Sequence, residues 1–135
     1  MSYVKFSYQP VTEGVYMPYV RVRLRFDAAA VDACVLADTG AELNVMPHSA
    51  GVRLGLNWSD FSAGPVLSGN AFGETRVVDI DLSIGSITRL PLTFCWANHD
   101  RVKLLLGHQN FFEHFNAFFD TKNREFSILK HAEPS

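Results

Sequence analysis

Along much of the chain, apolar and polar residues alternate with a period of two. In YVRVRLRF, Val20, Val22, Leu24 and Phe26 share one face while Arg21, Arg23 and Arg25 occupy the other. VVDIDLSIG repeats the pattern, with Val78, Ile80, Leu82 and Ile84 set against Asp79, Asp81 and Ser83. RLPLTFCW does so again through Leu90, Leu92, Phe94 and Trp96. Successive side chains of a strand point to opposite faces, so each segment predicts a half-buried antiparallel strand. Pro91 has no N–H to give to a ladder, which assigns its strand an edge or an interruption. Further strands are expected at 3–8, 31–37, 43–46, 65–68, 102–106, 116–120 and 125–129. Gly85-Ser86 and Thr121-Lys122-Asn123 read as hairpin turns. Helical rhythm is confined to HQNFFEHF, 108 to 115, with one turn at most in 48–56. The fold class is all-β, with many short strands and one short helix towards the C-terminus.

Composition narrows this picture. A chain of 135 residues, 47% hydrophobic and 19% charged, is long enough for one domain with a core and too short for two. No run approaches the roughly 18 apolar residues of a membrane-spanning helix, so no membrane partner is expected. MSYVKFSYQP lacks the basic start and apolar centre of a signal peptide, which makes a cytoplasmic location the expectation. Asn57-Trp58-Ser59 then has only the form of a glycosylation site. A net charge of -2 without a basic block gives no electrostatic reason to expect nucleic acid. Cys34 and Cys95 lie in the apolar runs DACVLA and LTFCWA and read as buried free thiols. His48, His99, His108, His114 and His131 lack the spacing of zinc ligands, so no metal or other cofactor is expected. Phosphate-binding and serine-hydrolase motifs are missing as well.

VLADTGAELNVMP, residues 35 to 47, carries the chemistry. Asp38 ends an apolar run, where a carboxylate is costly to desolvate unless it is used or bonded. Taken alone, Asp-Thr-Gly is either a turn whose Asp bonds its own backbone or the site of a functional acid. A second apolar run, VKLLLG, ends at Gly107, which suggests a weak internal repeat of strand and glycine turn.

LADTGAELNVMP, the glycine-containing LSGNAFG, then LLLG and FFDTKNREFSI follow in that order over roughly residues 17 to 129. Together they resemble the retropepsin-like aspartic proteases. The resemblance implies a single domain over 1–135, built as an acid-protease barrel with a flap hairpin and one half-site per chain. Acid-protease chemistry uses two adjacent carboxylates that share a proton and hold a water between them. This chain supplies one, because the other Asp-Thr, Asp120-Thr121, runs into Lys122 and reads as a hairpin turn. A homodimer acting on a peptide or protein substrate is therefore implied. In it Asp38 is the catalytic acid and Thr39, Gly40 and Ala41 form its supporting loop. Ser68, Gly69, Asn70, Ala71, Phe72 and Gly73 form the tip of a flap spanning Pro65 to Val78. Glu42, Leu106, Gly107 and His108 brace the loop. Where the family often has an Arg after Gly107, this chain has His108, and a His108–Glu42 pair is one expectation. It would strengthen below about pH 6.5 and tie the dimer to acid. An unpartnered His beside a helix start is the other. Phe111, Phe112, Phe115, Phe118 and Phe119 read as core or dimer packing. The terminal segments, which interleave into a dimer sheet in retroviral relatives, have no readable match. The alternative to an enzyme is a dimeric peptide-binding or scaffold module of the same fold. Metal-dependent hydrolysis through the histidines is a third reading.

Overall fold

The computed structural model describes residues 3–131. In chain order its strands are β1 (Val4–Ser7), β2 (Gln9–Thr12), β3 (Val15–Met17), β4 (Tyr19–Phe26), β5 (Ala29–Ala37) and β6 (Val45–Met46). A short helix, α1 (His48–Arg53), precedes β7 (Thr75–Ile84), β8 (Ile87–Ala97), β9 (Leu105–Leu106), β10 (Phe115–Asp120) and β11 (Glu125–Lys130). Six of the strands close a barrel in the order β4-β5-β9-β6-β8-β7, with β7 returning to β4. Strands β1, β11 and β10 form a second sheet, and β2 with β3 a separate two-stranded ribbon.

The alternating segments build the barrel as their pattern requires. Val20, Val22 and Leu24 of β4 are buried, as are Val78, Ile80, Leu82 and Ile84 of β7 and Leu92, Phe94 and Trp96 of β8. The arginines of β4 face outward, where Arg23 forms a two-pronged pair with Asp32 of β5. Gly85 turns the β7–β8 hairpin in a left-handed conformation, φ +57°, that other residues seldom adopt. Pro91 sits opposite Asp81, and the other edge of β8 meets a strand only at Cys95 and Trp96. The interruption read from Pro91 is thus an open strand edge. The second sheet lays Phe6, Phe126 and Ile128 on the same core, with the Phe126 ring tilted against Phe6 at 5.2 Å and stacked on Phe119 at 5.6 Å.

Several expectations are corrected. No regular strand covers 65–68; the segment makes only an isolated bridge, Leu67 with Gly73. The strands expected at 43–46 and 102–106 shrink to the pairs Val45–Met46 and Leu105–Leu106. The helix expected at 108–115 is a kinked turn over His108–Phe112, since Gln109 is extended and Asn110 left-handed at φ 74°. Asn110 spends its side chain on the N–H of Thr93 in β8. The phenylalanine spacing that suggested a helix instead buries Phe111 and Phe112 from the turn and Phe115 from the start of β10. The true helix is α1, whose buried Gly51 lies against the Trp96 indole. A Cβ there would come within 2.2 Å of the ring. Cys95 is buried, and burial pushes its thiol pKa up, but Cys34 is exposed. Strand alternation explains the difference: Val31 and Val35 point inward, and Cys34 pairs with Arg21 on the outer face.

Candidate active site

The loop after β5 is built by two parallel pairings. Leu36 and Ala37 lie beside Leu105 and Leu106, and the Asp38 N–H continues that ladder to the Leu106 carbonyl at 3.0 Å. The chain then turns sharply, the Ala41 N–H donating to the Asp38 carbonyl at 3.0 Å. The half-buried Asp38 carboxylate accepts the Gly40 N–H through Oδ1 at 2.9 Å. Its second oxygen makes no hydrogen bond with the described residues. One oxygen thus holds the turn while the other keeps its hydrogen-bonding capacity.

Gly107 backs this loop at close range. Its N–H reaches Asn44 Oδ1 at 2.9 Å, and a Cβ on it would lie 2.5 Å from the Leu43 carbonyl oxygen and 2.9 Å from that of Ala41. No side chain larger than hydrogen fits between those backbone atoms. Beyond it, the N–H groups of His108 and Gln109 donate to the carbonyls of Ala41 and Glu42, each at 2.9 Å. These main-chain bonds occupy the role expected of a His108–Glu42 ion pair. Within the chain the two side chains do not pair, and the exposed His108 ring lies beside Phe112.

Asn44 is the residue that sequence reasoning missed. It is 2% exposed, accepts the Gly107 N–H, and donates through Nδ2 to the Thr93 carbonyl at 3.1 Å and to Asn110 Oδ1 at 3.4 Å. Its own carbonyl accepts the Cys95 N–H at 2.9 Å. One buried amide thus joins the loop, β8 and the turn after β9. The available signal was a polar residue between Leu43 and Val45, where burial demands hydrogen-bond partners.

Asp38 and Thr39 open onto a shallow cleft of about 240 Å³ that is also lined by Met17, Pro18, Leu36, Ala37 and Phe119. Thr39 is exposed, and its hydroxyl makes no hydrogen bond with the described residues. A larger groove of about 620 Å³ follows Arg21, Arg23, Arg25, Asp32 and Cys34 and contains none of the loop residues. Of the two, only the small cleft has the Asp38 carboxylate at its wall.

Residues 63–76 form an irregular hairpin. Ala63 bridges Arg76, the Leu67 N–H donates to the Gly73 carbonyl at 2.9 Å, and a 3-10 turn over Gly69–Ala71 makes the tip. Buried Thr75 locks the base by donating its hydroxyl to the Pro65 carbonyl at 2.7 Å. Phe72 is 66% exposed. The tip is fastened at its back, where His99 Nε2 lies 2.9 Å from the Ala71 carbonyl and the Arg101 guanidinium donates to the Phe72 carbonyl at 2.8 Å. The Asp100 carboxylate between them accepts the Ser49 N–H of α1 at 2.8 Å.

That backbone hydrogen bond, helped by the nearby histidines, holds the Asp100 pKa below its ordinary 3.8. A carboxylate with a depressed folded-state pKa stabilises the fold above its unfolded value and loses that contribution as pH falls through the folded one. Asp100→Asn is accordingly expected to lower Tm only slightly, by about a degree, at neutral pH, because the exposed charge is screened and the amide still accepts the Ser49 N–H. The difference from the parent protein should narrow progressively below about pH 3.8 in thermal unfolding. A gap independent of pH would exclude the ionised carboxylate as its source.

Among the described residues, no group of His, Cys, Asp or Glu side chains comes together in a way that could hold a metal ion. Nor is any helix among them long and apolar enough to cross a membrane.

No family model and no curated protein matches the sequence. The structure is similar to the crystal structure of a retropepsin-like aspartic protease from Rickettsia conorii. That match covers 94% of this chain and 91% of the other, with a TM-score of 0.65 and 15% sequence identity. The chain therefore has the retropepsin-like fold, an all-β barrel.

Proposed function

We propose that two copies of this chain form an aspartic endopeptidase whose site contains one Asp38 from each. The observation that carries the reading is the Asp38 turn itself: one carboxylate oxygen is tied to Gly40, and the side chain forms a wall of an open cleft. One such group is half of the required machinery. Two carboxylates brought close cannot both ionise cheaply, so the pair retains one proton over a range of pH.

In the proposed reaction the ionised carboxylate takes a proton from water as its oxygen bonds to the scissile carbonyl carbon. The protonated carboxylate donates to the carbonyl oxygen. The tetrahedral diol then collapses: a proton passes to the amide nitrogen, the C–N bond breaks, and an acid and an amine leave. Thr39 holds the paired loops, with Gly40 and Ala41 completing the turn. Glu42, Leu106, Gly107 and His108 keep it in place through their main chains. Ser68, Gly69, Asn70, Ala71, Phe72 and Gly73 cover an extended peptide and exclude water.

The test is cleavage of a diverse peptide mixture from about pH 3.5 to about 7.5, at a concentration where the protein is dimeric. The expected result is a bell-shaped profile with cuts of a recurrent sequence type. Failure of the dimer to cut any peptide would sink the reading. The fastening of the hairpin tip by His99 and Arg101 favours a second reading, a peptide-binding module whose tip stays in one position. Saturable peptide binding without hydrolysis would identify it.

A further inference from the structure

The reading above requires a second copy beside Asp38 and leaves open where it docks. Strand β11 is occupied along both edges within the chain, whereas β1 and β10 each keep one edge without a strand partner among the described residues. Strand β11 pairs with β1 along one edge, Val4 to Ser7 against Ile128 to Glu125, and with β10 along the other. It has no edge left for a strand from another molecule.

The ribbon of β2 and β3 presents the opposite situation. Every residue of both strands is exposed, and a lone two-stranded ribbon is marginal in water. Its ends are nonetheless fixed beside the site. The Tyr8 N–H donates to the Arg124 carbonyl at 2.7 Å, and the Ala37 N–H, next to Asp38, donates to the Pro18 carbonyl at 3.1 Å. One face makes a contact with the rest of the chain, the Arg124 guanidinium lying 3.8 Å from the centre of the Tyr16 ring. Alternation sends Val15 and Met17 to the other face. They are 47% and 37% exposed, and Met17 continues directly into the Asp38 cleft.

We propose that the second copy of this chain docks on that face, Val15 and Met17 of one copy meeting the same residues of the other, with the two Asp38 loops alongside. A two-fold interface places each patch against itself, so it must tolerate its own charge. QPVT and VYMP contain no charged residue, and the one charge of the ribbon, Glu13, lies in the turn between them. The other prominent surfaces would have to bury or re-pair several charges. The groove along β4 would set Arg21 and Arg25 against their own copies, and exposed Phe118 is surrounded by Lys5, Asp120 and Glu125. The inference rests on the paired-Asp38 reading for the need of a partner, and on the ribbon for its location.

Sedimentation equilibrium of the full chain tests it with Val15→Glu, the milder Val15→Ser, Phe118→Glu and Asp38→Asn. A carboxylate buried unpaired, twice by symmetry, is expected to weaken the Val15→Glu dimer by on the order of 100-fold. Val15→Ser should weaken it less, and Phe118→Glu and Asp38→Asn not at all, with circular dichroism and Tm retained in each. A wild-type chain that stays monomeric overturns the proposal. So do Val15 variants that dimerise like the wild type, and a dimer broken by Phe118→Glu instead. Separately, a Val15-dependent dimer whose peptide cleavage survives Asp38→Asn would support the docking face while removing the catalytic reading.

Discussion

Asp38→Asn is expected to reduce peptide cleavage by roughly three to four orders of magnitude while leaving fold and dimer intact. The separation of the two effects follows from the turn. Asparagine keeps an Oδ1 that can accept the Gly40 N–H, now at 2.9 Å, so the loop loses no hydrogen bond. What it lacks is a group able to take a proton from water. In the proposed dimer each site draws one acid from each copy, so mixtures of parent and variant should lose activity faster than the fraction of parent chains falls. With random pairing, activity follows the square of that fraction. Cleavage rates at fixed total protein over a series of mixing ratios check this. A linear decline would mean that each chain works with its own carboxylate alone.

The second large effect is expected at Asn44. Asn44→Leu keeps the branching and number of side-chain heavy atoms but removes an acceptor from the Gly107 N–H and a donor from the Thr93 carbonyl. Both groups sit where water cannot easily replace the amide. Each buried group left unsatisfied costs about 1–3 kcal/mol, and the Thr93 carbonyl is only partly buried, so a total of about 2–4 kcal/mol is expected. Urea unfolding would show this as a lower midpoint at unchanged slope. Cleavage should fall as well, because Gly107 backs the Asp38 turn. A loss below about 1 kcal/mol would show that the brace is carried by the main-chain bonds of His108 and Gln109 alone.

The long strands were legible because one face of each is buried and the other wet. Alternation in β4, β7 and β8 records that directly. The ribbon β2–β3 left no such record, since both its faces are exposed in the chain and nothing selects apolar residues at every second position. The kinked turn at 108–112 failed for the opposite reason. Phe111, Phe112 and Phe115 must all be buried, and a helical period is one way to do it, but the Asn110 side chain claims Thr93 and forces another. Cys34 misled because the apolar residues around it belong to one strand face while it belongs to the other. At the site, Asp38, Thr39 and Gly40 stood out by residue type. Asn44 did not, because its partners come from β8 and from the turn after β9, far away in sequence.

The parallel pairing of Leu36 with Leu105 has a kinetic consequence. Two short stretches that hold the Asp38 turn in shape are separated by most of the barrel, and closing so large a loop is slow compared with zipping a hairpin. The β4–β5 and β7–β8 hairpins can form from neighbouring residues, whereas the turn acquires its backing only when Leu105, Leu106 and Gly107 arrive. A growing chain thus exposes the Asp38 acid well before its turn can be shaped, and that shaping coincides with the final consolidation of the barrel.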